Sequence, residues 1–231
     1  MQPHYDDNDI GAGGTLARLG DAGAVLTYLT VTDDLVGVLD AELSDEAARA
    51  QLRDEQAEAA RAIGVGNQIW LDYPDAGDWD YFALRKRLVA EIRRFGPDFV
   101  LTVDPWLPYE SHQDHLRVGR ACAEAVMLQS LPRFASDPEV DAAFEPRDVT
   151  GIGFYFTREP NTVVDISATR ERKHRAIDAY RTQFRPEALA LLHRGLEAAE
   201  REWAREQAFE FGEGLKVLRP GHLHVNLDPG V

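Results

Sequence analysis

Short apolar runs alternate with longer segments of helical type along this chain of 231 residues. The runs are rich in β-branched and aromatic residues, which is typical of buried strands. They read AVLTYLTVT (24–32), QIWLDY (68–73), DFVLTVD (98–104), VTGIGFYFT (149–157) and TVVDI (162–166). Strands that alternate with helices predict an α/β fold with a mostly parallel sheet. We therefore expect a doubly wound, Rossmann-like sheet flanked by helices.

The segments between these runs predict the helices. Residues 44–64 carry the clearest signals, because Ser44 can cap the start and Gly64 stands at the end. Further helices are predicted at 14–22, 79–95, 114–129, 167–184 and 186–208, and an irregular segment at 131–148. The length fits a single domain over 1–231, with 209–231 as a C-terminal tail that forms an edge strand or an ordered loop.

The charge balance excludes some classes of partner. Acidic residues outnumber basic ones by 40 to 25, which gives a net charge of −15. Because such a surface repels phosphate backbones, we expect no nucleic-acid partner. No signal-peptide pattern, lipidation motif or long apolar span is apparent, so we expect no membrane insertion and a cytoplasmic location.

Two clusters of histidine and aspartate predict a metal site. His4 and Asp7 are three residues apart in PHYDD, and His112 and His115 have the same spacing in HQDH. Both clusters fall in predicted strand-to-helix loops, and ligands of α/β sheets bind beyond the carboxyl ends of the strands. Two imidazoles and one carboxylate form a three-ligand set for Zn²⁺ with one position open to water. Fe²⁺ accepts the same ligand types.

The same clusters offer acid and base chemistry. An open zinc site lowers the pKa of its bound water to about 7 and polarises a carbonyl. Asp6 adjoins Asp7, so this pair offers one ligand and one base, and the remaining histidine can protonate a leaving amine. The alternative interpretation is that HQDH is an ordinary surface cluster at the start of a helix and that the aspartate pair near the start of the chain is simply solvated. The occurrence of both clusters in such loops favours the metal site.

These motifs carry a resemblance to a known family. The chain resembles the LmbE/PIG-L family of zinc-dependent N-acetylglucosaminyl deacetylases, whose signatures (A/P)HPDDExxxGxGG and HPDH correspond to PHYDDNDIGAGG and HQDH. The similarity continues in order through RDEQAEAARAIGV, LDYPDAG, PDFVLTVDP and EPNTVVDISATRERKHRAIDAYRTQF. It implies a hydrolase that removes the acetyl group from an N-acetylglucosamine-type amino sugar or its conjugate.

The resemblance also implies a role for each matching residue. The metal ligands would be His4, Asp7 and His115. Asp6 would be the general base, and His112 would stabilise the tetrahedral intermediate and protonate the amine. Asp114 would orient His112.

Four residues are predicted to contact the substrate: Asp75, Arg53, Trp106 and Tyr109. Asp75 stands in LDYPDAG, where the family can bind sugar hydroxyls. Arg53 lies in the helix that carries the family's substrate arginine, but one position out of register. Trp106 and Tyr109 precede His112, where an aromatic ring can either stack on a sugar or pack against the protein.

The chain departs from the family's pattern at several positions. Tyr5 and Gln113 replace prolines, Asn8 replaces a glutamate, and Tyr180 stands where many members have a histidine. None of these is a ligand or base position, so the predicted hydrolysis is unaffected, whereas loop rigidity and substrate fit are affected.

The start of the chain is the largest departure. The family's first motif follows a buried strand, yet only two residues precede Pro3 here. We expect that strand to be missing, its neighbours' edges to be unpaired, and the native start to lie upstream of Met1.

Other functions remain compatible with the sequence. The same scaffold could hydrolyse another N-acyl amide or an ester, or the chain could be a non-catalytic, metal-containing carbohydrate-binding protein. The presence of both Asp6 and His112 argues against the latter, because binding alone needs neither. Inositol, malate, lipid and antibiotic precursors all fit as aglycones. The helix at 186–208 is predicted to face solvent or a homo-oligomer partner. A basic cluster is predicted to be a solvated helix face, with binding of an anionic substrate moiety as the alternative; it consists of Arg170, Arg172, Lys173, His174 and Arg175.

Overall fold

Strands and helices alternate over most of the chain, as the apolar pattern predicts. The structure, a computed structural model, describes residues 1–225, 227 and 228. The helices are α1 (Asp7–Asp21), α2 (Asp45–Ile63), α3 (Tyr81–Phe95), α4 (Gln113–Leu128), α5 (Pro138–Ala143), α6 (Arg170–Ile177) and α7 (Pro186–Ala204). The strands are β1 (Thr27–Thr32), β2 (Asn67–Tyr73), β3 (Phe99–Val103), β4 (Gly151–Tyr155), β5 (Thr162–Asp165) and β6 (Gly212–Leu218). Among the described residues, no helix combines the length and apolarity needed to cross a membrane.

The chain divides into two compact units, each built from separate stretches of sequence. The first unit contains Gln2–Gly77 and Val163–Gly214. The second contains Met1, Asp78–Thr162 and the chain from Leu215 onward. The single domain over 1–231 stays a prediction.

A parallel pair of strands forms the sheet of the first unit. Strand β1 pairs with β2, with Leu29 opposite Ile69 and Thr30 opposite Trp70. Gln2 also pairs with Thr30 in the parallel sense, because its N–H donates to the Leu29 carbonyl at 2.9 Å. Residues 2 and 3 therefore pair with β1 at the point where a missing strand is predicted.

Local capping signals set the ends of two helices where the sequence predicts them. Ser44 accepts a hydrogen bond from the N–H of Ala47 at the start of α2, and Gly64 ends that helix at φ +98°. Asp80 caps α3 through two backbone N–H groups, and Gly96 ends it in the left-handed region. Such caps satisfy backbone groups that have no partner inside the helix, so the boundaries follow from the sequence alone.

The second sheet, of four strands, is mixed. Strand β3 pairs with β4 in parallel and β4 pairs with β6 antiparallel, in a strand order of β3-β4-β6-β5. A mostly parallel sheet is therefore not confirmed, and double winding stays a prediction. The predicted edge strand in 209–231 is wrong, because β6 lies inside this order. Residues 226 and 229–231 of the predicted tail lie outside the described residues.

The segment 131–148 was expected to be irregular, and this expectation is wrong for α5. Asp137 caps that helix and Pro138 occupies its first turn, where a missing N–H costs nothing. The buried guanidinium of Arg93 holds the surrounding loop, because it donates to the carbonyls of Gln129, Leu131 and Phe134 and to Asp141. These partners are remote in sequence, so the prolines alone were misleading.

Helix α1 begins at Asp7, earlier than the predicted 14–22, and it bends. Ala12 leaves the helical region at φ −146° and ψ 16°. The N–H groups of Gly14 and Thr15 donate to the carboxylate of Glu213 at 3.0 and 2.7 Å. A Cβ at Gly14 would lie 2.7 Å from Ile166, so glycine is required by close packing at that point. Helix α6 is shorter than the predicted 167–184, since turns follow Ile177.

A buried ion cluster lies in the first unit. Lys173 is 2% exposed, and its ammonium lies 3.1 Å from Glu200 and 2.8 Å from Glu213. The predicted solvated face is therefore wrong for Lys173. Burial raises the pKa of Glu200, but the hydrogen bond from His174, the charge of Lys173 and the bond from Arg170 outweigh it and lower that pKa to about 2.

The lowered pKa of Glu200 predicts acid-sensitive stability. Glu200 stabilises the folded state fully above its unfolded pKa of 4.5, and this contribution is lost as the pH falls toward 2. We expect the free energy of unfolding to drop by about 3 kcal/mol over that range from this group. Urea unfolding of the parent and of Glu200→Gln between pH 6 and 2 measures it. A pH-independent difference between the two proteins would contradict the assignment.

Candidate functional site

The first histidine–aspartate cluster lies in the first unit, at the start of α1. Asp6 is the N-cap residue of that helix, and His4, Asp6 and Asp7 are all buried. The backbone N–H of His4 donates to Asp7 at 2.8 Å. Its Nδ1 lies 3.3 Å from Asp7 Oδ2, and its Nε2 lies 3.4 Å from Asp75 Oδ1. The structure thus brings the predicted ligands His4 and Asp7 together with Asp75.

Further carboxylates enter this cluster from the ends of two strands. Asp33 and Asp34 follow β1, and Asp75 comes two residues after β2. Because β1 and β2 are parallel, these carboxyl ends lie at the same edge of the sheet. Asp34 accepts a hydrogen bond from the N–H of Tyr5 at 3.0 Å. Asp34 was missed from the sequence, although a carboxylate directly after a buried strand is a usable signal.

Burial and neighbouring carboxylates raise the pKa values of two aspartates in this cluster. Burial raises the pKa of Asp6 well above its ordinary range, and the charges of Asp7 and Asp34 raise it further. Burial also raises the pKa of Asp34 to about 7, although His4 and the N–H of Tyr5 oppose that shift. A cation bound here would relieve the repulsion, so the cluster favours a positively charged ligand.

The residues of the first unit fit a transition metal. Oδ1 of Asp75 is buried and accepts no hydrogen bond from any described residue. Imidazole nitrogen and carboxylate oxygen are suitable ligands for Zn²⁺ and Fe²⁺. Each ring nitrogen of His4 faces a carboxylate, so a metal on one nitrogen leaves a carboxylate to orient the ring through the other.

The two arginines near this cluster are already paired. Arg53 donates to both oxygens of Asp72 at 2.6 Å, and its guanidinium lies over the ring of Trp70. Arg49 donates to Asp33 at 3.0 Å. The charges of Arg53 and Arg49 are therefore balanced by carboxylates of the same unit.

The second cluster lies in the second unit, at the start of α4. His112 is the N-cap residue, and its Nδ1 accepts from the N–H of Asp114 at 3.3 Å. The imidazole rings of His112 and His115 lie 5.3 Å apart. Nδ1 of His115 lies 3.3 Å from Glu110 Oε2. His112 is exposed, whereas the Asp114 side chain is fully buried, so α4 begins with a histidine open to solvent and an aspartate inside the protein.

Aromatic residues surround the second cluster. The ring of Phe156, directly after β4, stacks on His115 with an interplanar angle of 5°. Trp106 is about half exposed and packs edge-to-face on Phe154. Tyr109 is fully exposed at φ +69°, so plain packing is excluded for its ring. Glu110 and Phe156 were missed from the sequence, since neither belongs to a metal-ligand motif.

Comparison with known proteins identifies a matching family and similar enzymes. A family model described as "PIG-L: GlcNAc-PI de-N-acetylase" matches residues 1–126. Diacetylchitobiose deacetylase of Thermococcus kodakarensis is 34% identical over 225 residues, which is 97% of this chain and 84% of that enzyme. A 1D-myo-inositol 2-acetamido-2-deoxy-α-D-glucopyranoside deacetylase of Kineococcus radiotolerans is 33% identical over 55% of this chain and 44% of that enzyme.

A solved structure shares the fold over almost the whole chain. It is the N,N′-diacetylchitobiose deacetylase of Pyrococcus horikoshii in complex with an inhibitor. The TM-score is 0.91 with 35% sequence identity, and the match covers 99% of this chain and 85% of that chain.

Proposed function

This chain belongs to the PIG-L (LmbE-like) family of deacetylases, and we propose that it is a zinc-dependent enzyme that removes the acetyl group from N-acetylglucosamine in a neutral conjugate. The observation that carries this proposal is the buried set of His4, Asp6 and Asp7 at the start of α1. Asp6 and Asp7 supply the base and the ligand that amide hydrolysis requires, and binding alone would not need the base.

We propose that His4, Asp7 and His115 bind the metal. The donor types support Zn²⁺, and Fe²⁺ is the alternative. The carboxyl groups packed around His4 and Asp7, whose pKa values are raised by burial and by mutual repulsion that a cation would relieve, support cation binding in the first unit. When bound, Zn²⁺ lowers the pKa of a coordinated water to about 7 and polarises the acetyl carbonyl.

Two side chains carry the proton transfers, and a third orients one of them. Asp6 takes a proton from the attacking water, whose oxygen forms a bond to the acetyl carbon. His112 stabilises the tetrahedral intermediate and gives a proton to the amine nitrogen as the C–N bond breaks, which yields acetate and the free amino sugar. Asp114 orients His112, and the complete burial of the Asp114 side chain supports this role.

The substrate contacts follow from exposure and charge. We propose that Asp75 and Arg53 bind sugar hydroxyls. We also propose that Trp106 and Tyr109 stack on sugar rings, which the exposure of these two aromatic side chains supports. Because Arg53 and Arg49 are already paired with carboxylates, an anionic aglycone gains little from them. A second N-acetylated amino sugar, as in the substrate that names the Thermococcus relative, is a neutral aglycone that fits.

Amine release from a substrate panel tests the proposal. The zinc-loaded protein is incubated with diacetylchitobiose and with N-acetylglucosamine linked to inositol or to malate. We expect release from diacetylchitobiose, its loss after chelation, and its recovery on adding Zn²⁺. Release from no conjugate by a protein that holds one metal per chain would overturn the deacetylase proposal. Faster release from the malate conjugate would overturn only the neutral aglycone. The cytoplasmic location and the homo-oligomer stay proposals from the sequence.

A further inference from the structure

The backbone N–H and C=O of Tyr5, which belong to the two peptide units on either side of its Cα, are both held by buried side chains. Its N–H donates to Asp34 at 3.0 Å. Its carbonyl oxygen accepts from Gln56 Nε2 at 2.9 Å, from Tyr180 Oη at 2.8 Å and from Gln2 Nε2 at 3.1 Å. Three donors on one carbonyl exceed its two lone pairs, so this oxygen is saturated by side chains.

The partners of this peptide are themselves fixed. Gln56 is fully buried and also bonds Thr30 and the indole N–H of Trp70. Tyr180 is fully buried, and its hydroxyl also contacts Asp9 of α1. Asp34 accepts a second hydrogen bond, from Gln183, at 2.8 Å. All of these residues lie in the first unit, so the arrangement belongs to one compact body.

The backbone of Tyr5 connects two residues of the candidate site. Tyr5 lies between His4 and Asp6, so the orientation of the two peptide units that join it to them sets the direction in which both neighbouring side chains leave the backbone. The related motif has proline at this position, which has no N–H to bond. Tyrosine introduces an N–H, and the structure gives that N–H a buried acceptor in Asp34.

We propose that Tyr180, Gln56 and Asp34 are positioning residues that fix the backbone of Tyr5. They thereby orient the side chains of His4, Asp6 and Asp7 before the metal binds. The hydroxyl of Tyr180 joins the Tyr5 carbonyl to α1 through Asp9, and it does so from a loop that is remote in sequence. This inference rests on the proposed function, because it assigns His4 and Asp7 as ligands.

Tyr180→Phe and Tyr28→Phe form a matched pair. Both side chains are buried. The Tyr28 hydroxyl donates to Asp9 at 2.6 Å, and the single O–H of Tyr180 is shared between Asp9 and the Tyr5 carbonyl. The proton of the Tyr28 hydroxyl is directed to Asp9, whereas Tyr180 also contacts the Tyr5 carbonyl. Each variant therefore removes one hydroxyl from the same carboxylate, and only Tyr180→Phe removes the bond to Tyr5.

Zinc affinity, measured by competition with a chelating dye, is the first readout. We expect Tyr180→Phe to weaken zinc binding about 10- to 100-fold, and Tyr28→Phe to change it less than about threefold. At saturating zinc, Tyr180→Phe should lower kcat more than it raises KM for diacetylchitobiose, because the orientation of Asp6 is disturbed. Equal zinc affinity in the two variants would overturn the proposal.

A second pair of variants tests the other end of the peptide and serves if Tyr180→Phe does not fold. Asp34→Ala removes the acceptor of the Tyr5 N–H, whereas Asp34→Asn keeps an acceptor and loses the charge. We expect Asp34→Asn to weaken zinc binding only through the loss of one nearby charge, and Asp34→Ala to weaken it about 10-fold more than Asp34→Asn does. Equal weakening by both would assign the effect to charge and overturn the positioning role. A parent that binds zinc without releasing acetate would overturn the proposed function but leave this comparison intact.

Discussion

Replacement of Asp6 by asparagine is expected to lower kcat about 100- to 10,000-fold while the protein still binds its metal. Asparagine has the shape of aspartate but cannot take a proton from the attacking water. Asp6 is the N-cap residue of α1, but its side chain makes no capping hydrogen bond, so the start of the helix does not depend on the carboxylate. Initial rates of amine release from diacetylchitobiose, beside the metal content per chain, measure the effect.

The control is the same substitution at the other end of α1. Asp21 is exposed and pairs with Arg172 on the surface, so Asp21→Asn should leave kcat within about twofold of the parent. An Asp6→Asn protein with full metal content and more than about a tenth of the parent kcat would exclude Asp6 as the general base.

Replacement of Lys173 by methionine is expected to cost about 3–5 kcal/mol of unfolding free energy. Methionine fills a similar volume but leaves Glu200 and Glu213 buried without the ammonium between them. Glu213 also accepts the N–H groups of Gly14 and Thr15, so the loss extends to the bend of α1. Urea unfolding at pH 7 measures the change.

Arg201→Met is the matched control for that measurement. Arg201 also joins two carboxylates, those of Glu197 and Glu210, but on an exposed surface where solvent screens the charges. Its urea midpoint should stay close to that of the parent. Equal losses in the two variants would contradict the claim that burial makes the Lys173 cluster important.

The parts of the fold that local chemistry determines were predictable from the sequence. The ends of α2 follow from Ser44 and Gly64, which act on backbone groups within one turn. The bend of α1 was not predictable, since Glu213, which accepts from Gly14, is 199 residues away. The burial of Lys173 was hidden for the same reason, because its partners come from α7 and β6.

Some residues of the candidate site could likewise be identified from the sequence, and others could not. His4 and Asp7 could be identified because ligands three residues apart in a family motif are visible in the sequence. Asp34 could not be identified in that way, because its main partner is a backbone N–H, which the sequence does not distinguish from any other. Roles that depend on contacts between remote segments, such as that of Tyr180 with Tyr5, became apparent only from the structure.

The discontinuous make-up of the first unit has a consequence for biosynthesis. His4 and Asp7 are synthesised well before Tyr180, which bonds the Tyr5 carbonyl and follows Tyr5 by 175 residues. Contacts of such long sequence separation form late, because the intervening chain must be made and its loop closed. We therefore expect the nascent chain to lack an ordered metal loop, so that loading with metal follows translation.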